Sequence, residues 1–146
     1  MPRIVRLDPH HLASAVDAVR AAQGATDANW NEIPIEGIAE CLSSVVGASK
    51  LLHFANPKVF PIWDSKAERF RLCANPSQYH MGQVRNYKAY ASEVHRIRQT
   101  HGFAEFYAGF NQAFAERLNR LTISPYRLTE VRAVESAMFE LSERVQ

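Results

Sequence analysis

Lys50 and Asp64 are the residues of this chain best suited by type and spacing to do chemistry. They bracket the stretch Lys50-Leu51-Leu52-His53-Phe54-Ala55-Asn56-Pro57-Lys58-Val59-Phe60-Pro61-Ile62-Trp63-Asp64, in which two prolines and a wall of apolar side chains separate an amine from a carboxylate. A lysine in poorly hydrated surroundings loses part of its preference for the charged form and becomes a nucleophile. A carboxylate beside it stabilises positive charge as that charge develops on a reacting group. The plainer reading of the same pair is a Lys50–Asp64 salt bridge plus an Asp64 helix cap, together locking a turn.

The elements that must position this pair are short. Ser49 is expected to cap a helix over Lys50 to Ala55, and Asn56-Pro57 to stop it, because the residue before a proline is pushed out of the helical region. An irregular apolar connector follows, and Asp64 then caps a helix running to about Leu72. Asn75-Pro76 ends that helix. His53 lies three residues after Lys50 and is expected on the same helix face, as a ligand contact, a general base or a hydrogen-bonded helix-end residue. Phe54, Phe60 and Trp63 are candidates for an apolar wall around a substrate.

The rest of the chain reads as helical scaffold. Leu12, Ala15, Val16, Val19 and Ala22 recur at helical spacing after Asp8-Pro9, and Ile35 to Val46 forms a second periodic run that Gly47 is expected to close. Further helices are predicted over about 81–100 and from Phe103 to Leu121, the latter with a stripe of Phe103, Phe106, Tyr107, Phe110, Phe114 and Leu118 expected in the core. Ser124-Pro125 is predicted to start the last helix, with Leu128, Val131, Val134, Met138, Leu141 and Val145 inward. No period-2 strand appears. The fold class is therefore all-α, one compact domain over residues 1–146 with six or seven helices.

Composition excludes more than it selects. A 47% hydrophobic content supports a core without staples, and the excess of 17 Lys and Arg over 15 Asp and Glu is too small to mark a nucleic-acid binder by itself. Cys41 and Cys73 sit far apart among apolar neighbours and read as reduced, buried residues. The six histidines fall into no ligand spacing, so no metal is expected. Glycine-rich phosphate loops are absent, which leaves nucleotide cofactors unsupported. No run reaches the length of a membrane helix, and a cytoplasmic location without membrane partners is expected.

The motif "SKLLHF, then NP, then FPIWDS" resembles the helix-hairpin-helix DNA glycosylases, and among them a compact bacterial group with the 8-oxoguanine DNA glycosylase fold. The likeness covers about twenty residues. Val46-Gly47-Ala48-Ser49-Lys50 matches the hairpin turn and catalytic lysine, with one glycine where that family usually has two, and Phe60-Pro61-Ile62-Trp63-Asp64-Ser65-Lys66 matches the segment that delivers the aspartate. The resemblance implies a DNA partner and cleavage of the N-glycosidic bond of a damaged base, with Lys50 as nucleophile and Asp64 stabilising the oxocarbenium-like sugar. Trp63, Phe54 or Phe60 would then wall the base, and backbone amides of Gly47 to Ser49 would hold a phosphate. Lys58, Lys66, Arg69 and Arg71 would add backbone contacts, though such a run also reads as a solvated face. Without the chemistry, the same residues describe a non-catalytic DNA-binding or helical protein-interaction module.

Overall fold

The computed structural model describes residues 6–144. It contains α1 (Leu12–Gln23), α2 (Ile35–Leu42), α3 (Val45–Ala55), α4 (Ser65–Leu72), α5 (Gln78–Met81), α6 (Val84–Arg98), α7 (Phe103–Arg120) and α8 (Glu130–Ser142), with 3-10 turns at Pro9–His11 and Trp30–Glu32. No strand occurs among the described residues, and the fold is all-α. The helix beyond the expected number is α5, a single turn started by Ser77, whose side chain accepts from the His80 amide.

Two boundaries differ from the sequence expectation, each for a local reason. Ser43 adopts a left-handed conformation at φ 52 and ends α2 early, and the Ser44 hydroxyl accepts the Gly47 amide at 2.9 Å to start α3. With that amide satisfied, Gly47 stays helical and Ser49 lies inside α3 rather than capping it. At the other end of the chain, α8 begins at Glu130 under a Thr129 cap, not at Ser124-Pro125. The segment before it runs extended along α7, held where the Tyr107 hydroxyl donates to the Leu128 carbonyl and Asn111 Oδ1 accepts the Leu128 amide.

The core gathers Ile35, Ile38, Leu52, Phe60, Trp63, Tyr87, Tyr90, Val94 and Val131. Trp30 joins it from a polar stretch, stacked on His95 with ring centroids 5.2 Å apart. The aromatic stripe of α7 is core only in part: Phe103 and Leu118 are buried and Tyr107 packs against the core, whereas Phe110 and Phe114 are half-buried and Phe106 is exposed. Among the described residues α8 and the extended segment before it supply the main packing against this helix, so helical spacing signals an apolar face without supplying enough partner surface to cover all of it. Leu141 is likewise exposed. Cys41 is buried as expected, whereas Cys73 is exposed at the left-handed end of α4. Val145 lies outside the described residues.

Candidate active site

The connector between α3 and α4 has no regular hydrogen bonding of its own, and its stretch Val59 to Trp63 is buried except for half-buried Ile62. A buried peptide group must find a partner, and here side chains supply them. His95 Nε2 bonds the Val59 carbonyl at 2.9 Å, His53 Nδ1 the Phe60 carbonyl at 2.8 Å, and the Tyr87 and Tyr90 hydroxyls donate to the Pro61 and Ile62 carbonyls at 3.0 Å each. The Ile62 amide donates to Glu135 Oε2 at 2.8 Å, and the Trp63 amide to Ser49 Oγ at 3.0 Å. Each bond contributes about 0.5–1.5 kcal/mol net. Together they fix the path of the chain up to Asp64, so the carboxylate is delivered by a preorganised segment.

These donors keep their protons for identifiable reasons. Burial pushes the Tyr87 and Tyr90 hydroxyls well above the usual tyrosine range, with the nearby Asp64 charge adding to the effect at Tyr90. Burial lowers the pKa of His53 and of His95, reinforced by Arg132 at the first and by Arg98 at the second. Both rings are therefore neutral near pH 7 and donate one N–H to a carbonyl. A histidine with a depressed folded pKa binds its proton more readily in the unfolded chain, so stability is full above the unfolded value of about 6.5 and declines as pH falls below it. The thermal midpoint is expected to drop between about pH 7 and pH 5. Replacing both His53 and His95 by glutamine, which can still donate to the carbonyls, should flatten that slope; an unchanged slope would show that other groups set it.

Ser49 and Trp63 immediately precede Lys50 and Asp64. The Ser49 hydroxyl donates to the Val46 carbonyl at 2.7 Å while accepting the Trp63 amide, so it clamps the α3 backbone before the lysine to the chain before the aspartate. Lys50 projects to solvent. Asp64 is half-buried, and its Oδ1 accepts the Ala67 amide at 2.8 Å, capping α4 as expected. No ion pair joins Lys50 and Asp64 among the described residues, so the structural salt bridge is corrected.

Several sequence-level roles change with the geometry. Phe60 and Trp63 are fully buried in the core and wall no open site. Trp63 instead donates through Nε1 to Glu68 Oε2 at 3.1 Å, in a buried cluster that Arg71 and His80 complete. His53 points inward to the connector, away from Lys50, because its ring is needed by the Phe60 carbonyl. Ser49 is fully buried and the Gly47 amide is taken by Ser44, so neither is open to a phosphate. Phe54, one turn beyond Lys50, is 81% exposed. Lys58 is exposed beside Arg127 at the rim of a shallow groove. Lys66 reaches Glu143 Oε1 at 2.7 Å and lies 4.7 Å from the Phe139 ring centroid, and Arg69 is half-buried on α4.

Asp64 and Ile62 line a pocket of about 360 Å³ whose other wall is α8, through Arg132, Glu135, Ser136, Phe139 and Glu140. That volume lies within the range of small-ligand sites. Glu135 is buried and paired with Arg132, so the lining carries three carboxylates against one guanidinium. Sequence reasoning missed these α8 residues. Their signal was the polar row Arg132, Glu135, Ser136 and Glu140, which interleaves at helical spacing with the apolar Val131, Val134 and Met138. Among the described residues no three His, Cys, Asp or Glu side chains converge as metal ligands would. No described helix is long and apolar enough to cross a membrane.

No protein-family model, curated protein or solved structure matches the chain.

Proposed function

We propose that the chain acts on DNA as an N-glycosidic-bond-cleaving protein of the helix-hairpin-helix glycosylase kind, with Asp64 and Lys50 as its reacting residues. The observation that carries this reading is the Ser49–Trp63 hydrogen bond, which ties together the residues before Lys50 and Asp64, while among the described residues no ion pair joins the two charges. The acid-lined pocket beside Asp64 is the second support. A base drawn out of the stack would enter it between Asp64 and α8. The C1′–N bond then breaks with its electron pair leaving on the base, and the Asp64 carboxylate stabilises the positive charge left on the sugar.

Lys50 completes the reaction. Its ammonium gives one proton to the departing base, the freed amine bonds to the anomeric carbon, and the sugar ring opens as a second proton passes from nitrogen to the ring oxygen and a protonated Schiff base forms. Free in solvent, this amine gains its desolvation from the strand docked over it. Exposed Phe54, one turn away on α3, offers a face on which a neighbouring base can stack, and Lys58 offers a phosphate contact.

Release of free base from duplexes carrying oxidised, alkylated or deaminated bases tests this directly. Asp64→Asn keeps a side-chain oxygen for the α4 cap, so the helix start survives while the charge is removed. The expected result is a fall of about 100- to 1000-fold in base release with little change in stability. An Asp64→Asn protein as active as its parent would overturn the assignment. DNA binding that weakens steeply with salt, without base release from any lesion, would favour the non-catalytic module.

A further inference from the structure

We propose that the chain forms a twofold dimer in which α7 packs antiparallel against α7 of a second copy. The 18-residue α7 is the longest helix described, yet it buries only Phe103 and Leu118. In proteins most helical stability comes from tertiary packing of an apolar face rather than from propensity. Phe106, Gly109, Ala113 and Arg117 follow one another at steps of three and four along its exposed side, with half-buried Phe110 at the edge of the strip. Nothing lies within 4 Å of where a Cβ on Gly109 would stand. The fold of one chain therefore gives no reason for a glycine in the middle of this helix, where it weakens the helical conformation. Close approach of a second backbone does give one.

Charge identifies the occupant as the chain itself. Glu105 sits in the first turn of α7, and Arg117 and Arg120 sit in the last. None of the three takes part in an ion pair within the chain among the described residues. A second copy lying antiparallel brings its Arg120 and Arg117 to Glu105, and the symmetry axis repeats the contact at the other end. The same register sets Glu116 opposite the second copy's Gly109, where no like charge stands, and opposes the two helix dipoles favourably. A parallel copy would instead place arginines against arginines. Any other partner would have to reproduce this acid–base spacing, which a second copy supplies by identity. The inference is independent of the Lys50–Asp64 chemistry.

Sedimentation equilibrium of the full chain over about a hundredfold range of concentration tests it, since association makes the apparent mass concentration-dependent. A monomer–dimer equilibrium is expected. Glu105→Arg alone and Arg120→Glu alone each place like charges at both ends of the interface, and each should weaken dimerisation by at least about 100-fold. An equimolar mixture of the two variants restores opposite charges at both ends and should recover the dimer as a heterodimer, a result that misfolding could not produce. A monomer at every concentration, a dimer indifferent to both substitutions, or a mixture that stays monomeric would each overturn the proposal.

Discussion

Lys50→Gln is expected to abolish covalent chemistry at the sugar, lowering Schiff-base formation by at least about 1000-fold, while leaving the unfolding free energy within about 0.5 kcal/mol of the parent. Both halves follow from where α3 places the side chain. Lys50 is exposed, and among the described residues its amine enters no hydrogen bond or ion pair, so removing the charge breaks no internal polar contact. Lys50→Arg sharpens the test. Arginine keeps the positive charge for a phosphate, yet its guanidinium stays protonated and cannot attack the anomeric carbon. DNA affinity should therefore survive in Lys50→Arg while the covalent step disappears. Retention of that step in either variant, measured by single-turnover cleavage of a lesion-containing duplex, would remove Lys50 from the mechanism.

Trp63→Ala should carry the largest stability penalty of any single change near the site, about 3–5 kcal/mol, against a total of about 5–15 kcal/mol for a domain of this kind. The indole is fully buried, meets the Tyr87 ring at a centroid distance of 5.9 Å, and donates to Glu68. Its loss opens a cavity directly behind Asp64 and takes one donor from a buried carboxylate. Burial by itself would raise the Glu68 pKa, but hydrogen bonds from Arg71, His80 and Trp63 outweigh it and hold the carboxyl below its ordinary value. That contribution is present above the ordinary carboxylate range and is lost as the solution is acidified through the depressed value. Trp63→Phe keeps most of the volume and loses the Nε1 donor, for an expected cost of about 1–2 kcal/mol. Urea midpoints measure both. A Trp63→Ala protein destabilised by less than about 1 kcal/mol would show that the indole is not the core element described.

What was legible in the sequence was local. Asp64 before Ser65 reads as a cap because a carboxylate can satisfy a first-turn amide without any tertiary information, and the structure has that bond. Asn56-Pro57 likewise stops α3 by steric rules within two residues. The failures are tertiary. Gly47 reads as a stop in the sequence, but the helix breaks earlier, at left-handed Ser43, and Ser44 accepts the Gly47 amide to start α3, so Gly47 lies inside a new helix. Trp63 and Phe60 looked like pocket walls because aromatic type does not say which way a connector turns. That direction is set by Tyr87, Tyr90, His53 and His95, which bond its carbonyls from helices before and after it. The α8 side of the pocket was invisible because Glu135 meets the Ile62 amide across 73 positions of sequence.

Borohydride reduction in the presence of lesion-containing DNA, followed by mass mapping of the cross-linked peptide, tests the central claim most directly, because it fixes any Schiff base at the residue that formed it. The account predicts a stable protein–DNA adduct attached at Lys50 and lost in Lys50→Gln. An adduct at another lysine, or none with any lesion under conditions where the protein is folded and bound to DNA, would contradict it.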